Sequence, residues 1–338
     1  MTNPEFPKSR YRSGEKVRTL TASDLRVAPS ADAPPEVQGS ESDVRSVDVA
    51  ELIADDDPIL QQVQTLRDDG YGGVILRGPP GTSKSWYAQA IAARLAGGDE
   101  SRVRTVQFHP SYQYEDFVEG FVPDDKGSFK LQAKHLLLIS EVAQSHPEKV
   151  CVLVVDELSR ADPARVFGEA LTYIEQSKRG VEFSLVSGRP FAIPGNLFLL
   201  GTMNEYDRGV EQVDAALERR LGFVPMDPDP ERLRAILQKN EVRAATAALI
   251  VQFFEWLLHH SNPYCHIGHA YFSTVRDGGS LRRLWDHQLR FVFERAFSFD
   301  QQQEQGLPQV KERWETLVTT VLASEAATPA APTDTATP

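Results

Sequence analysis

The sequence predicts an α/β fold in which a parallel sheet is sandwiched by helices and is followed by a small all-helical domain. The uninterrupted apolar run 150–155 and the buried-strand pattern of residues 196–203 (NLFLLGTM) are typical of strands buried on both faces of a parallel sheet. A third run, residues 73–76, leads through a glycine-rich loop straight into a helical pattern. Beyond residues 225–230, a proline-rich linker, apolar residues recur at helical spacing.

Composition and charge exclude several classes of protein. With 41% hydrophobic and 25% charged residues, the 338-residue chain has the composition of an ordinary globular protein. A net charge of -12 argues against a protein that coats nucleic acid by bulk attraction. Two cysteines cannot form a disulfide framework. No apolar stretch approaches membrane-spanning length and no signal-peptide core is present, so we expect a cytoplasmic protein without a membrane partner.

Shifts in composition divide the chain. The first segment is polar, with scattered proline and little apolar periodicity, and the last is rich in alanine, threonine and proline, so neither can bury enough surface to offset its ordering entropy. The expected organisation is a disordered arm over 1–46, an α/β domain over 47–225, a helical domain over 226–323 and a disordered tail over 324–338.

The glycine-rich loop has the pattern of a phosphate cradle, G-x-x-x-x-G-K-[ST]. Its residues are Gly78, Pro79, Pro80, Gly81, Thr82, Ser83, Lys84 and Ser85. Such a loop turns its backbone amides onto a polyphosphate, while the lysine reaches the outer phosphates and the hydroxyl ligates Mg²⁺. Ser83 departs from the pattern, because it stands where the second glycine belongs. The alternative is an ordinary turn between a strand and a helix.

Polar residues follow two of the buried strands. Asp156 and Glu157 come directly after the run 150–155, and Asn204 follows the run 196–203. Ligands bind at the carboxyl ends of parallel strands, so these residues should lie along one edge with the loop. In phosphate-loop enzymes the first acid holds Mg²⁺ and the second polarises the attacking water. The alternative is that the acids only cap a helix.

The amphipathic segment 214–221 ends in two adjacent arginines, Arg219 and Arg220. Arginines at a domain edge are usually solvated. The alternative is a finger that neutralises the γ-phosphate bound by a neighbouring subunit.

The remaining patterns predict further elements. We expect a helix over 58–66, a second strand over 103–108, a hairpin or loop over 127–135, one helix from Asp162 to Ile174, and a hairpin over 181–193. The aromatic stretch 108–122 fits a site, a subunit contact or satellite core equally well. His266 and His269 have the spacing of metal ligands, but no acid or thiol at a fixed spacing supports that interpretation.

These motifs together resemble an AAA+ NTPase, and more narrowly the McrB type, the nucleotide-driven ring subunit of modification-dependent restriction systems. The resemblance covers about residues 70–295. It is carried by GPPGTSKS (78–85), FHPSYQYEDFVEGFVP (108–123), VDELSRADPARVFGEAL (155–171), IPGNLFLLGTMNEYDRGVEQVDAALERRLGF (193–223) and IGHAYF (267–272).

The resemblance implies a role for each site residue. Lys84 and the loop amides would hold the β- and γ-phosphates, Ser85 and Asp156 would hold Mg²⁺, and Glu157 would be the general base. Asn204 would position the lytic water. The trans-acting arginines would be Arg219 and Arg220, with Arg160, Asp207 and Arg208 near the site or the subunit interface.

The resemblance also implies an oligomeric ring, a hexamer, that hydrolyses ATP or GTP with Mg²⁺. Such a ring would act as motor or regulator for a separately encoded effector such as a nuclease, in restriction or antiviral defence, with DNA contacted directly or through that partner. The polar arm is too short to be the DNA-reading domain of longer members. Alternatives are a MoxR-like protein-remodelling chaperone and a nucleotide-gated scaffold with little turnover.

Overall fold

A computed structural model of the chain describes residues 53–123, 128–204, 215–298 and 306–327. The predicted arm and most of the predicted tail lie outside these ranges. Within them the strands are β1 (Gly73–Gly78), β2 (Val103–Gln107), β3 (Glu119–Pro123), β4 (Phe129–Ala133), β5 (Cys151–Asp156), β6 (Phe183–Ser184), β7 (Pro190–Phe191), β8 (Leu197–Asn204) and β9 (Gly222–Pro225).

The main sheet is parallel, with the strand order β2-β5-β8-β1-β9. Its register aligns the strand ends, because Gly78 of β1 pairs with Asn204 of β8 and Val155 of β5 pairs with Gly201. The loop after β1 and the polar residues after β5 and β8 therefore share one edge, as the sequence predicts. The α/β fold class is confirmed.

Helices cover both faces of this sheet. The helices of the described residues are α1 (Pro58–Asp68), α2 (Lys84–Leu95), α3 (Tyr114–Phe117), α4 (His135–Ser145), α5 (Pro163–Phe167), α6 (Ala170–Tyr173), α7 (Ala215–Glu218), α8 (Pro230–Lys239), α9 (Ala244–Leu258), α10 (Gly278–Leu284), α11 (Arg290–Ser298) and α12 (Gly306–Ala326). Alternate residues of β5 and β8 belong to two different apolar clusters, one on each face. The positions that face these clusters therefore need apolar side chains on both faces of each strand.

Aspartate-proline pairs begin three of the helices. Asp57, Asp162 and Asp229 each accept backbone N–H bonds from the first turn, and the proline that follows occupies a position where no N–H is needed. The helix start predicted at Asp162 is confirmed, and the helical pattern expected beyond the linker begins with the cap at Asp229.

Three predicted elements differ from the structure. The single helix expected up to Ile174 is broken into α5 and α6 at Gly168, whose φ of +52° no helix accommodates. Strand β9 lies between the amphipathic segment 214–221 and the linker 225–230, where no strand was expected. It forms because it can pair with the edge of β1. The aromatic stretch already contains a strand, β3, which pairs with β4 in an antiparallel hairpin.

The C-terminal part of the described chain, α8 to α12, has its own apolar cluster around Trp314, which is 2% exposed. A π-helical turn, Trp285–Leu289, joins α10 to α11. Helix α12 continues to Ala326. The helix thus extends past Ser324, the expected first residue of the tail. No helix among the described residues has the length and hydropathy to cross a membrane.

Candidate active site

The phosphate loop connects β1 to α2. Gly81 adopts a φ of +81°, and a Cβ there would lie 2.6 Å from the ring of Tyr271, so both the backbone conformation and the close approach require glycine. Helix α2 begins at Lys84, so its free backbone amides and the positive end of its dipole face the loop.

Lys84 is folded into the loop that precedes it. Its Nζ donates to the carbonyl oxygens of Gly78 at 2.9 Å and of Pro79 at 2.7 Å, and it lies 3.4 Å from the hydroxyl of Thr82. Thr82 in turn donates to the carbonyl of Pro79. The lysine is only 7% exposed. A buried cation is therefore held within the loop by main-chain oxygens, which a phosphate oxygen would replace with a stronger charge-assisted bond.

Ser83 adopts the left-handed conformation, with φ 65° and ψ 23°, and makes no side-chain capping bond. For a residue with a Cβ this conformation costs roughly 1 kcal/mol or more. The other non-glycine residues with positive φ in the described chain are Glu157 and Glu241. Backbone strain of this kind is concentrated at functional sites, and two of these three residues lie in the candidate site.

We expect Ser83→Gly to stabilise the protein by about 0.5 to 1 kcal/mol, because relief of strain exceeds the added freedom of the unfolded chain. It should also raise turnover, since it removes a side chain from the approach to the phosphates. Urea denaturation and phosphate release measure the two effects. Glu241→Gly, at φ 59° in the helical part, is the matched control: stability should rise there with unchanged turnover. Slower turnover in Ser83→Gly alone would mean that the serine side chain is used.

Asp156 and Ser85 meet at the sheet edge. One carboxylate oxygen of Asp156, Oδ1, accepts a hydrogen bond from the Ser85 hydroxyl at 2.9 Å and another from Thr202. Thr202, on the neighbouring strand β8, also accepts the backbone N–H of Glu157 at 3.0 Å. A carboxylate and a hydroxyl oxygen held together are hard ligands that suit Mg²⁺, whose remaining positions are usually filled by water and phosphate oxygens. The residues present therefore fit this ion.

Glu157 is held by two side chains. Its carboxylate accepts from Nδ2 of Asn204, at 3.2 Å to Oε2 and 3.4 Å to Oε1, and from Nε of Arg160 at 3.2 Å. The backbone of Glu157 is left-handed, with φ 56°. Three observations thus fix one carboxylate beside the phosphate loop, at the end of a buried strand.

These residues surround a cleft of about 270 Å³. Its lining residues are Pro80, Gly81, Ser83, Lys84, Ser85, Trp86, Glu157, Thr202, Asn204 and Ala270. Sequence reasoning missed Thr202, Trp86 and Ala270. Thr202 could have been found two residues before Asn204 in the same strand, whereas nothing in the local pattern places Ala270 at the loop. A larger groove of about 540 Å³ between α9 and α12 contains none of the predicted residues, so volume alone does not locate the site.

The two predicted trans arginines do not line the cleft. Arg219 is exposed immediately after α7, and Arg220 is partly buried. The pKa of Glu175 is lowered chiefly by a hydrogen bond from Ser177, and the charge of Arg220 adds to this effect. The two arginines therefore have different surroundings. Asp207 and Arg208 lie outside the described residues.

The helical part reaches the phosphate loop through its main chain. The N–H of Gly268 donates to the carbonyl of Pro80 at 3.0 Å, and that of Ala270 donates to Gly81 at 2.9 Å. A Cβ on Gly268 would lie 1.9 Å from the carbonyl carbon of Gly81, so only glycine permits this approach. The IGHAYF motif thus joins the helical part to the loop.

Side chains form a second contact, or joint, between the helical part and the α/β part, in addition to the main-chain bonds at the phosphate loop. The guanidinium of Arg232, in α8, lies 4.5 Å from the ring centroid of Tyr87, in α2, and 3.7 Å from Asp57. The Tyr87 hydroxyl donates to Asp57 at 2.9 Å, and Arg232 also pairs with Asp229 at 3.3 Å. Burial and this bond to Asp57 raise the pKa of Tyr87. The contact therefore links the start of α1, helix α2 and helix α8.

His269 lies between the two main-chain bonds and is 2% exposed. Its Nδ1 accepts the backbone N–H of Asp229 at 3.3 Å. Burial, reinforced by the charge of Arg232 and opposed by Asp229, lowers the pKa of His269 to about 4. The histidine is thus a neutral structural residue, which explains its distinctive position without a metal.

We expect low pH to decrease the free energy of unfolding, because His269 becomes protonated when the protein unfolds. Its pKa is lower in the folded state than the unfolded value of 6.5, so unfolding takes up a proton between about pH 4 and 6.5 and stability falls as the pH falls through that window. The free energy of unfolding, measured with urea, should fall between pH 7 and pH 4.5 by about 2 to 3 kcal/mol more in the native protein than in His269→Asn. The side-chain oxygen of that asparagine can accept the same backbone amide. Equal losses would contradict a buried neutral histidine.

Comparison with known proteins gives relatives for this chain. A family model described as an AAA domain (dynein-related subfamily) matches residues 73–221, from β1 to the residue before β9. The type IV methyl-directed restriction enzyme EcoKMcrB subunit of Escherichia coli (strain K12) is 32% identical over 233 residues, which cover 64% of this chain and 50% of the relative. The type II restriction enzyme BsuMI component YdiS of Bacillus subtilis (strain 168) is 24% identical over 191 residues, which cover 44% of this chain and 55% of the relative.

The chain thus spans about half the length of these curated relatives. A solved structure of a candidate ATPase from Cytophaga hutchinsonii covers 53% of this chain and 48% of its own at 16% identity and a TM-score of 0.36, which is too low to add to the fold assignment. The family match begins with the strand that carries the phosphate loop and includes Asp156, Glu157 and Asn204. Residues 73–221 thus match an AAA domain, and these similarities support the resemblance of the chain to an AAA+ ATPase of the McrB type.

Proposed function

We propose that this chain is a Mg²⁺-dependent nucleoside triphosphatase that hydrolyses ATP or GTP. The observation that carries the proposal is the carboxylate of Glu157, held by Asn204 beside a phosphate loop whose serine hydroxyl is bonded to Asp156. A binding site alone would need the loop and its lysine. A carboxylate fixed next to them supports hydrolysis, because a base must stand within reach of the attacking water.

Each residue of the site has a separate role in the proposed reaction. The backbone amides of Gly81, Thr82 and Ser83 and the ammonium of Lys84 bind the β- and γ-phosphates. Ser85 and Asp156 hold Mg²⁺, which when bound neutralises charge on the phosphate oxygens.

Glu157 accepts a proton from the water as the water oxygen attacks the γ-phosphorus, and Asn204 orients that water. The bond between the γ-phosphorus and the β–γ bridging oxygen breaks, and the nucleoside diphosphate leaves with the bonding electrons. The bonds from Asn204 and Arg160 keep the carboxylate in place.

We further propose that the site is completed by a neighbouring subunit in a ring of identical chains, a hexamer. Arg219 and Arg220 do not line the cleft of their own chain, which is consistent with action in trans on the developing charge of the γ-phosphate. In this proposal residues 47–225 form the nucleotide-binding domain and residues 226–323 the lid, whose main chain is bonded to the phosphate loop.

The named relatives are subunits or components of restriction enzymes, which supports a role as the motor or regulator of a separately encoded effector such as a nuclease. We place this activity in the cytoplasm, in restriction or antiviral defence, with DNA contacted directly or through that partner. The same resemblance favours a role in restriction over a MoxR-like protein-remodelling role.

Steady-state phosphate release tests the proposal. It is measured with ATP and with GTP over a range of protein concentrations, with and without DNA. We expect one or both nucleotides to be hydrolysed, with a specific activity that rises with concentration because neighbours complete each site. Binding of both nucleotides without release, under every condition, would favour the nucleotide-gated scaffold.

A further inference from the structure

One residue that lines the cleft has no part in the proposed phosphate chemistry. Lys84, Ser85, Glu157 and Asn204 supply charge and hydrogen bonds, which suit a polyphosphate and a water molecule. Trp86 lies on the same cleft, in the first turn of α2, and offers mainly an apolar aromatic surface. A nucleoside triphosphate also has a base and a ribose, and these need a surface of a different kind from its phosphates.

Trp86 is 41% exposed, although aromatic side chains of its size usually bury most of their surface. Across the described ranges, the other exposed large apolar side chains are Tyr71, Phe121, Phe129, Leu131, Val181, Val186 and Phe291. None of these lines the cleft. Among the described residues, Trp86 is therefore the one exposed large apolar side chain that lines the cleft.

The indole is also held in position. Its ring meets that of Tyr87 edge to face, with centroids 4.9 Å apart and planes at 84°. Tyr87 is itself 7% exposed and is bonded through its hydroxyl to Asp57. A supported aromatic ring loses little conformational entropy when a ligand packs against it, so its surface is ready for binding.

We propose that Trp86 packs against the nucleoside of the bound triphosphate, with Ala270 of the helical part on the same cleft. This inference rests on the proposed function and assigns the part of the substrate that the phosphate loop cannot bind. Every nucleobase has an apolar π-face, so an aromatic contact of this kind adds affinity without selecting one base. The contact therefore serves ATP and GTP alike.

Calorimetric titration of the full chain with ADP, with GDP and with inorganic tripolyphosphate tests the assignment. Trp86→Ala should weaken the binding of both nucleotides about tenfold or more and leave tripolyphosphate within about twofold, whereas Trp86→Phe should keep most of the affinity. Trp256→Ala is the matched control, because Trp256 lines the groove between α9 and α12 and should affect none of the three ligands.

Fluorescence gives a second measurement. The other tryptophans, Trp256, Trp285 and Trp314, all lie in the helical part. The emission change on adding ADP should disappear in Trp86→Phe and persist in Trp256→Phe.

An equal loss of affinity for nucleotides and tripolyphosphate in Trp86→Ala would overturn the inference, since the residue would then only shape the loop. Unchanged nucleotide affinity would overturn it too. Failure of the unsubstituted protein to bind any of the three ligands would instead remove the proposed function, and this inference with it.

Discussion

Glu157→Gln is expected to reduce phosphate release by about 10² to 10⁴-fold while nucleotide affinity changes little. The amide keeps the shape of the carboxylate and can still bond to Asn204, but it cannot accept a proton from the attacking water. Lys84, Ser85 and Asp156, the proposed binders of phosphate and Mg²⁺, are untouched. Phosphate release gives the rate, and calorimetry with ADP gives the affinity.

Glu148→Gln is the matched control, because it removes an equal charge from an exposed turn just before β5. Its turnover should equal that of the unsubstituted protein. Turnover within about twofold of normal in Glu157→Gln would exclude this residue as the base. Loss of binding as well as turnover would mean that the carboxylate helps to shape the phosphate loop.

Arg219→Ala is expected to lower turnover by about 10³-fold or more, the effect of an arginine that neutralises the transferred phosphoryl group. Arg219 is the more informative of the two adjacent arginines because it is exposed. Arg220 is partly buried near Glu175, so its replacement should also lower the stability of its own subunit. Arg283→Ala, an exposed arginine of α10, is the control and should retain normal turnover.

Mixing two inactive variants separates action in trans from action within one chain. A subunit with Arg219→Ala keeps Glu157, and a subunit with Glu157→Gln keeps Arg219. Where the two are neighbours in the right order, one complete site forms. Phosphate release from the mixture should therefore exceed that of either variant alone. If the mixture stays inactive although size-exclusion chromatography shows that the two variants co-assemble, Arg219 does not complete a neighbouring site.

The part of the site that sequence predicts is the part formed by strand ends. Asp156 and Asn204 end segments with the pattern of buried strands, and parallel strands bring their carboxyl ends to one edge. Lys84 and Ser85 follow from a loop pattern whose physical requirements are strict. In each case a local pattern determines the position, so no knowledge of distant contacts is needed.

The part that sequence misses depends on contacts between distant residues. Strand β9 has only four residues and forms because β1 has a free edge beside it. Gly168 breaks a helix whose apolar stripe continues across the break, so periodicity conceals the break. Ala270 reaches the cleft through a main-chain contact with Gly81, which no periodicity reports. The sequence pattern places Trp86 on α2. The exposure of its side chain cannot be predicted in this way, because it depends on which other residues pack against the helix.

Hydrogen exchange can measure separation of the helical part from the phosphate loop, because two main-chain hydrogen bonds connect them. The amide hydrogens of Gly268 and Ala270 are donated across the joint to Pro80 and Gly81, so they exchange with solvent deuterium only when the bonds break. Their rate of exchange therefore reports how often the lid leaves the loop. Exchange at these two backbone hydrogens therefore measures the separation of the helical part from the loop, independently of any measurement of hydrolysis.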